Sequence, residues 1–583
     1  MAAALRQLNG GGAAPAGRRP LLQPLRLVPG VTLFLFLAPI AAGLIGTLLP
    51  AFGWLPDLGG ERFGLHPWRA LFAAPGLAGA VRLTLVSGLL ATVLSLLLVL
   101  GFCAACHDTR LFARLRRLLA PLLAMPHAAT AIGLAFLIAP SGWILRLLSP
   151  WATGWDTPPD IATVQDAYGL ALVGGLMLKE TPYLLLMTLG ALDQVQAKRT
   201  LAVARALGYA PAAAWLKTVL PRVYPQIRLP VYAVLAFSLS VVDMALILGP
   251  GTPPPLAPMV LRWFYDPDLA MRFQAAAGAV LQLGLAAAAI LLWHGLERLV
   301  ARLARPWLAG GGRGAGGRLG RAVAGTAMAT VFATAGLGLL SLAVWSLARR
   351  WQYPDALPAA WTLDNWARHL GALAWPTWTT LTVGLAAAGA ALVLALGCLE
   401  NEQRHGVRPS SRGLWLLYAP LLVPQVSFLF GAQALTAGLG IGGTWPALVW
   451  SHLLFVLPYL FLSLADPYRA LDDRYARAAL CLGASPARVF WRVKLPMLLR
   501  PALFALAIGF AVSVAQYLPT LFAGGGRYVT LTTEAVTLAA GADRRVIAVY
   551  ALLQALLPLL AFAGALAVPG WLYRRRYALA GMR

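Results

Sequence analysis

Apolar residues along this chain come neither at a helical period nor in alternation, but in long unbroken runs. Each run is about 20 residues long, the length that crosses about 30 Å of hydrocarbon as a helix. Six fall in the first half, near 31–50, 80–102, 118–139, 168–190, 228–249 and 274–296. Six more fall in the second, near 322–347, 377–398, 414–436, 446–464, 500–522 and 546–570. Basic residues gather in alternate gaps. Arg6, Arg18, Arg19 and Arg26 precede the first run, and Arg110, Arg114, Arg116 and Arg117 follow the second. Lys198, Arg199, Arg205, Lys217 and Arg222 follow the fourth, and Arg298, Arg302, Arg305, Arg313, Arg318 and Arg321 follow the sixth. Arg574, Arg575 and Arg576 close the chain, while the opposite gaps hold acids such as Asp156, Asp160, Asp166, Asp266, Asp355 and Asp364. An excess of Lys and Arg marks the cytoplasmic side. The pattern predicts an all-α polytopic membrane protein of twelve spans with both termini inside.

Composition agrees. Of 583 residues, 60% are hydrophobic and 12% charged, against about 45–50% and about 25% in soluble domains. Soluble, disordered and disulfide-framework classes are excluded on these figures. The net charge of +26 is spread over the loops, whereas a nucleic-acid binder concentrates its charge on a polar domain; no nucleic-acid partner is expected. Arg18-Arg19 precede a run long enough to span, so an uncleaved first span is read there in place of an export signal.

The runs form a repeat. Residues 297–321 read as a Gly/Arg-rich cytoplasmic linker centred on GGGRGAGG (310–317), flexible by composition. It separates a first repeat, 1–296, from a second, 322–583. Trp68 and Thr84 echo Trp366 and Thr382, Pro126 and Gly133 echo Pro424 and Gly431, and Pro182-Tyr183-Leu184 echoes Pro458-Tyr459-Leu460. An even number of spans separates the copies, so they share one orientation: a parallel duplication of six spans. Major-facilitator transporters are also built this way, which keeps a secondary transporter as the alternative. That alternative expects a glycine-containing charged signature between the second and third spans, and HDTRLFARLRR (107–117) has no glycine.

A loop after the fourth and tenth runs carries the most specific pattern. The first copy, within 193–222, reads AVARALGYAPAAAWLKTVLP (202–221); the second, within 472–497, reads RAALCLGASPARVFWRVKLP (477–496). Each has a glycine, a proline three residues later, and a Leu-Pro ending thirteen later: Gly208, Pro211, Leu220-Pro221, and Gly483, Pro486, Leu495-Pro496. This spacing predicts a helix closed by a left-handed glycine, then a second helix opened by proline, with Ser485 as an N-cap and a proline ending it. Trp215, Phe490 and Trp491 give the second helix an apolar face that needs a partner.

The pattern resembles the EAA loop of ABC-type importer permeases: Glu-Ala-Ala, three residues, Gly, nine residues, Ile-x-Leu-Pro. The second copy matches through Ala478, Ala479, Gly483, Val493, Leu495 and Pro496; the first keeps Ala204, Gly208, Leu220 and Pro221 but has Val203 and Thr218. The glutamate is replaced by Ala202 and Arg477. With twelve spans in two halves, the chain is similar to the fused permeases of ferric-iron and thiamine importers, and most of all to the Ynj type through SVAQYLPTL (513–521) and GRYVTLTTEAV (526–536). The resemblance implies a type I permease fold in a bacterial inner membrane. It implies two separate ATPase subunits on the two loops, which carry ATP and Mg, and a periplasmic solute-binding protein. No cofactor, metal or catalytic site is expected on this chain, which has no GxxxxGK[ST] phosphate loop.

Ionisable residues inside spans are functional candidates by default. Lys179 and Glu180 lie in the fourth run, Asp243 in the fifth with Gln516 at the matching place in the eleventh, and His127 and Gln425 each follow a proline in the third run of their half. His452 lies in the tenth. These side chains are candidates for lining a solute path at the seam between the halves; hydrogen bonding between helices is the competing role. Cys103-Ala104-Ala105-Cys106-His107 has the spacing of a haem c attachment site, but it lies where a run leaves the membrane inward, and small residues at a helix end account for it. A polytopic membrane enzyme would need acids or histidines clustered at one face, and these are scattered.

Overall fold

The computed structural model describes residues 24–314, 317–406 and 416–573. Arg6, Arg18, Arg19, Arg574, Arg575, Arg576, the linker residues Ala315 and Gly316, and the start of the run at 414–436 lie outside the described residues. Among the described residues, nine helices are long and apolar enough to cross a membrane, or ten if one bent pair counts as a single span. In chain order the elements that matter are α1 (Pro24–Ala51), α2 (Leu77–Cys106), α3 (Arg110–Ala124), α4 (His127–Ile138), α5 (Leu170–Gln194), α6 (Ala197–Ala206), α7 (Pro211–Ala214), α8 (Leu220–Ser240) and α9 (Met271–Ala309). They continue with α10 (Arg318–Leu347), α11 (Asp364–His405), α12 (Leu429–Gly438), α13 (Trp445–Arg469), α14 (Asp473–Cys481), α15 (Pro486–Val489), α16 (Leu499–Val514) and α17 (Arg544–Leu572).

Four of the apolar runs are not single helices. The run at 118–139 is cut between α3 and α4, and the run at 414–436 is divided into Ala419–Leu422, a 3-10 turn at Gln425–Ser427, and α12. Pro126 and Pro424 stand at these two breaks: proline has no N–H to give, and it disfavours helical geometry in the residue before it. The runs at 228–249 and 500–522 stop at Ser240 and Val514 and resume as short helices at Asp243–Leu248 and Leu518–Gly524. Hydropathy records length and apolarity but not continuity.

Backbone groups freed by a break inside hydrocarbon must find partners within the protein. Lys179 Nζ donates to the carbonyls of Leu123 (3.2 Å) and Met125, at the end of α3. Gln282 Nε2 donates to Leu239 O at 3.0 Å, and Thr532 Oγ1 donates to Val514 O. His452 spans the last break, with its two ring nitrogens on Ser513 Oγ (2.7 Å) and Thr520 Oγ1 (3.0 Å).

The two halves are interlocked by their first helices. Helix α1 packs on α11 and α12 of the second half, while α10 packs on α2 and α4 of the first. Glycine makes both crossings possible: a Cβ on Gly46 would lie 2.9 Å from Gly431 Cα, and one on Gly133 would lie 2.9 Å from the Gly338 backbone. In a membrane, helices associate by such close packing of small residues, since lipid offers no hydrophobic drive between them. A second pair of matching bonds ties each half to itself. Leu256 N donates to Thr84 Oγ1 (2.8 Å), and Leu531 N donates to Thr380 Oγ1 (2.9 Å). The counterpart of Thr84 is therefore Thr380; Thr382, chosen on spacing, bonds only within its own helix to Trp378 O and Thr379 O. Helices α9 and α11, with 39 and 42 residues, each run about 60 Å, about twice the hydrocarbon thickness. Their ends overhang and reach the two loops.

Candidate functional site

Each loop has the predicted chemistry. Gly208 and Gly483 are left-handed (φ +83° and +81°). At each, the glycine N–H bonds three residues back (Arg205 O, Leu480 O) and the next N–H bonds five back (Ala204 O, Ala479 O), the paired Schellman closure of a helix end. Pro211 and Pro486 then open the next helix, and Ser485 Oγ caps it by accepting from Arg488 N at 3.3 Å. The prolines of Leu220-Pro221 and Leu495-Pro496 do not end it, contrary to expectation. In both copies a π turn, Trp215–Val219 or Phe490–Lys494, comes immediately before, and Leu220 and Leu495 begin a further helix. A proline in the first turn of a helix lacks only an N–H that would be unpaired there, so the chain runs on. In the second copy it then bends by 75° into α16.

The two loops are attached to the membrane domain by different chemistry. Behind the first, Ala204, Ala214, Trp215 and Val219 are buried in one apolar cluster with Ala104 of α2 and Leu192 of α5. Behind the second, Lys494 Nζ donates to Glu400 Oε2 (2.7 Å) and Gln403 Oε1 (2.7 Å) from the overhang of α11. The same Glu400 accepts from Arg404 (2.5 Å) and from the Tyr468 hydroxyl. Arg469 grips Glu402 with two bonds of 2.9 Å, and Arg404 also donates to Pro486 O (3.1 Å). These positions correspond. Ala104 and Glu400 come three residues after Gly101 and Gly397; Val219 and Lys494 come eleven after Gly208 and Gly483; Leu192 and Tyr468 come ten after Pro182 and Pro458. The first loop is backed by an apolar triad, and the second by a polar, ionic one. Sequence reasoning missed it, although the run LENEQRH (399–405) at the end of an apolar helix was the available signal. The first loop has exposed ion pairs, Arg205 to Asp108 at 2.5 Å and Arg116 to Asp193 at 3.9 Å, and Asp108 also meets His107 Nδ1 at 3.1 Å. Partial burial works to raise the Asp108 carboxyl, but the bonds from Arg205 and His107 outweigh it and hold it below the usual carboxylate range.

Within the membrane, Lys179 is tied to the break before His127, and the His127 ring lies tilted against Phe237 with ring centroids 4.7 Å apart. Glu180 and Asp243 are buried. Lys179 lies within electrostatic reach of both acids, Glu180 within reach of Tyr459, and Asp243 within reach of Tyr517. Gln516 donates back to Val512 O, and Gln425 sits in the 3-10 turn after Pro424. Cys103 and Cys106 are buried free thiols, and among the described residues no three His, Cys, Asp or Glu side chains gather where a metal would sit. At the end of the helix bundle away from the two loops, a buried Arg146 went unnoticed in the sequence. It donates to Ser141 O and, across the halves, to Gln352 O (2.6 Å), and lies 4.9 Å over the Trp351 ring.

Residues 390–574 match the family of binding-protein-dependent transport system inner membrane components. The inner membrane ABC transporter permease protein YnjC of Escherichia coli K12 is 34% identical over 94% of this chain and 98% of its own length. The molybdenum transport system permease protein ModB of Mycobacterium tuberculosis is 34% identical over 29% of this chain and 70% of its own. The putrescine transport system permease protein PotI of E. coli K12 is 28% identical over 26% of this chain and 57% of its own. A chain that aligns with an inner-membrane permease from end to end, and shorter permeases over part of it, belongs to the ABC importer permeases, the multi-pass transport subunits of binding-protein-dependent systems.

Proposed function

We propose that the chain is a fused pair of permease repeats, 1–296 and 322–583, which together cross the inner membrane twelve times with both termini in the cytoplasm. The interrupted helices count as single crossings in this scheme. Two ATPase subunits, which carry the ATP and Mg, dock one on each loop, and a periplasmic solute-binding protein delivers solute to the outer face. The observation that carries this reading is the repeated loop: the same left-handed glycine, proline-opened helix and π turn follow α5 and α13. ATP-driven approach of the two loops would rock the halves, an equilibrium that solute shifts only by its differential affinity for the two states.

The path runs along the seam where Lys179, Glu180 and Asp243 face Tyr459 and Tyr517, with His127, Gln425 and Gln516 at the helix breaks. Two acids and one lysine, in a seam with tyrosine hydroxyls, suit a small polar or charged solute. In proteoliposomes with ATPase and binding protein, Asp243→Asn and Glu180→Gln are expected to lower solute uptake at least tenfold while basal ATP hydrolysis stays within about twofold. Uptake at the wild-type rate in both variants would remove these residues from the path.

A further inference from the structure

The linker is not a free tether. Helix α9 continues to Ala309, and the next five residues lie along the first loop. Lys217 Nζ donates to Gly310 O at 2.7 Å and sits over the rings of Trp307 (4.9 Å) and Tyr209 (5.7 Å). Ala210 N donates to Arg313 O at 2.9 Å, where the helix-opening turn would otherwise leave that N–H without a backbone partner. The Arg313 side chain passes within 3.4 Å of where a Cβ on Gly208 would be, and a Cβ on Gly314 would come within 2.8 Å of Ala213 Cβ. At the second loop, among the described residues, a Cβ on Gly483 would meet no atom within 4 Å. Pro211, Ala212 and Ala213 are half-covered, whereas their counterparts Pro486, Ala487 and Arg488 are exposed. Side-chain size follows the same division. Ala213 leaves room for Gly314, and Arg488 at the matching place would not.

We infer that the linker segment Trp307–Gly314 is a built-in part of the first ATPase-docking surface, standing in for the outer face of α7, so that the two docking surfaces of one chain differ. The inference rests on the importer reading above. An ATPase subunit at the first loop then meets the exposed side of α6, including Val203 and Leu207, together with the linker backbone and Arg313; one at the second loop meets α14 and α15 directly. The linker's cation, Arg313, calls for an acidic rim on the ATPase at that site.

The test places a benzophenone side chain at position 207, 313 or 482 of the full chain, co-expressed with its ATPase subunit, and irradiates native membranes. Adducts to the ATPase from all three positions are expected. Adducts from 207 and 482 without one from 313 would overturn the linker assignment and leave the importer reading intact; loss of all three would overturn both. A second variant releases the strap, Lys217→Met with Trp307→Ala. The adduct from 207 should then fall about fivefold, the effect of one or two lost contacts, while that from 482 is unchanged. A rise in the 207 adduct would make the linker a competitor of the ATPase and overturn the inference.

Discussion

Glu400 and Lys494 show how one residue pair sets the character of a joint. Their side chains are only 5% and 10% exposed, so removing one partner leaves a buried charge. Such a break costs about 3–5 kcal/mol, whereas replacing both members by apolar groups is often near neutral. Lys494→Val alone leaves Glu400 with Arg404 and Tyr468, and Glu400→Ala alone leaves Lys494 with Gln403, so each should destabilise the detergent-solubilised chain by less than that amount. The double variant, which recreates the Ala104 and Val219 of the first half, should recover most of the loss in a thermal-unfolding cycle. Asp108 gives a pH dependence of known sign. Its folded carboxyl titrates lower than it would unfolded, so its contribution is present above the unfolded value of about 4 and is lost as pH falls through the folded one. The protection of α6 amides, read as exchange relative to the intrinsic rate at each pH, should fall only on acidification below about pH 4. Asp108→Asn should abolish that pH dependence, and its effect at pH 7 should stay under about 1 kcal/mol because the pair is exposed.

At the scale of elements, the loops test the value of a left-handed glycine. Gly483 has open space around it, so a side chain there meets only the backbone penalty, about 1–2 kcal/mol. Gly483→Val should loosen the α14–α15 turn, seen as faster exchange of Ala484 N–H, with little change in overall melting. Much of this element was readable beforehand, because Gly208, Pro211, Ser485 and their spacing encode helix stop and start signals locally. The π turns were not readable, nor the passage through Pro221 and Pro496. The breaks at Ser240 and Val514 were also hidden, since what permits them is a distant donor, Gln282 or Thr532, supplied by another helix. Local pattern marks where a helix can end; tertiary partners decide where a broken one is tolerated.

Over the whole molecule, the apolar runs expressed the membrane class, while the way the N-terminal and C-terminal parts of the chain hold together lies in contacts between distant glycines. Spacing alone paired Thr84 with Thr382, two residues from Thr380, which makes the equivalent bond. The candidate path residues were visible as polar and charged positions in apolar runs, and hydrogen bonding between helices was the competing role read there; the partners that Lys179 and His452 bond were not visible. Gly133→Val should push α4 away from α10, a clash with backbone that costs at least about 1–3 kcal/mol, and so weaken the grip between halves in a thermal-unfolding measurement. The account as a whole depends on this chain being the coupled membrane half of an ATP-driven machine. The most direct measurement is purification of the tagged chain from its native membrane, followed by subunit counting and ATP hydrolysis in nanodiscs. The account predicts two ATPase subunits per chain, with hydrolysis lost when Gly208 and Gly483 are both changed to bulky residues. A chain that purifies without an ATPase and moves solute down an ion gradient would contradict it.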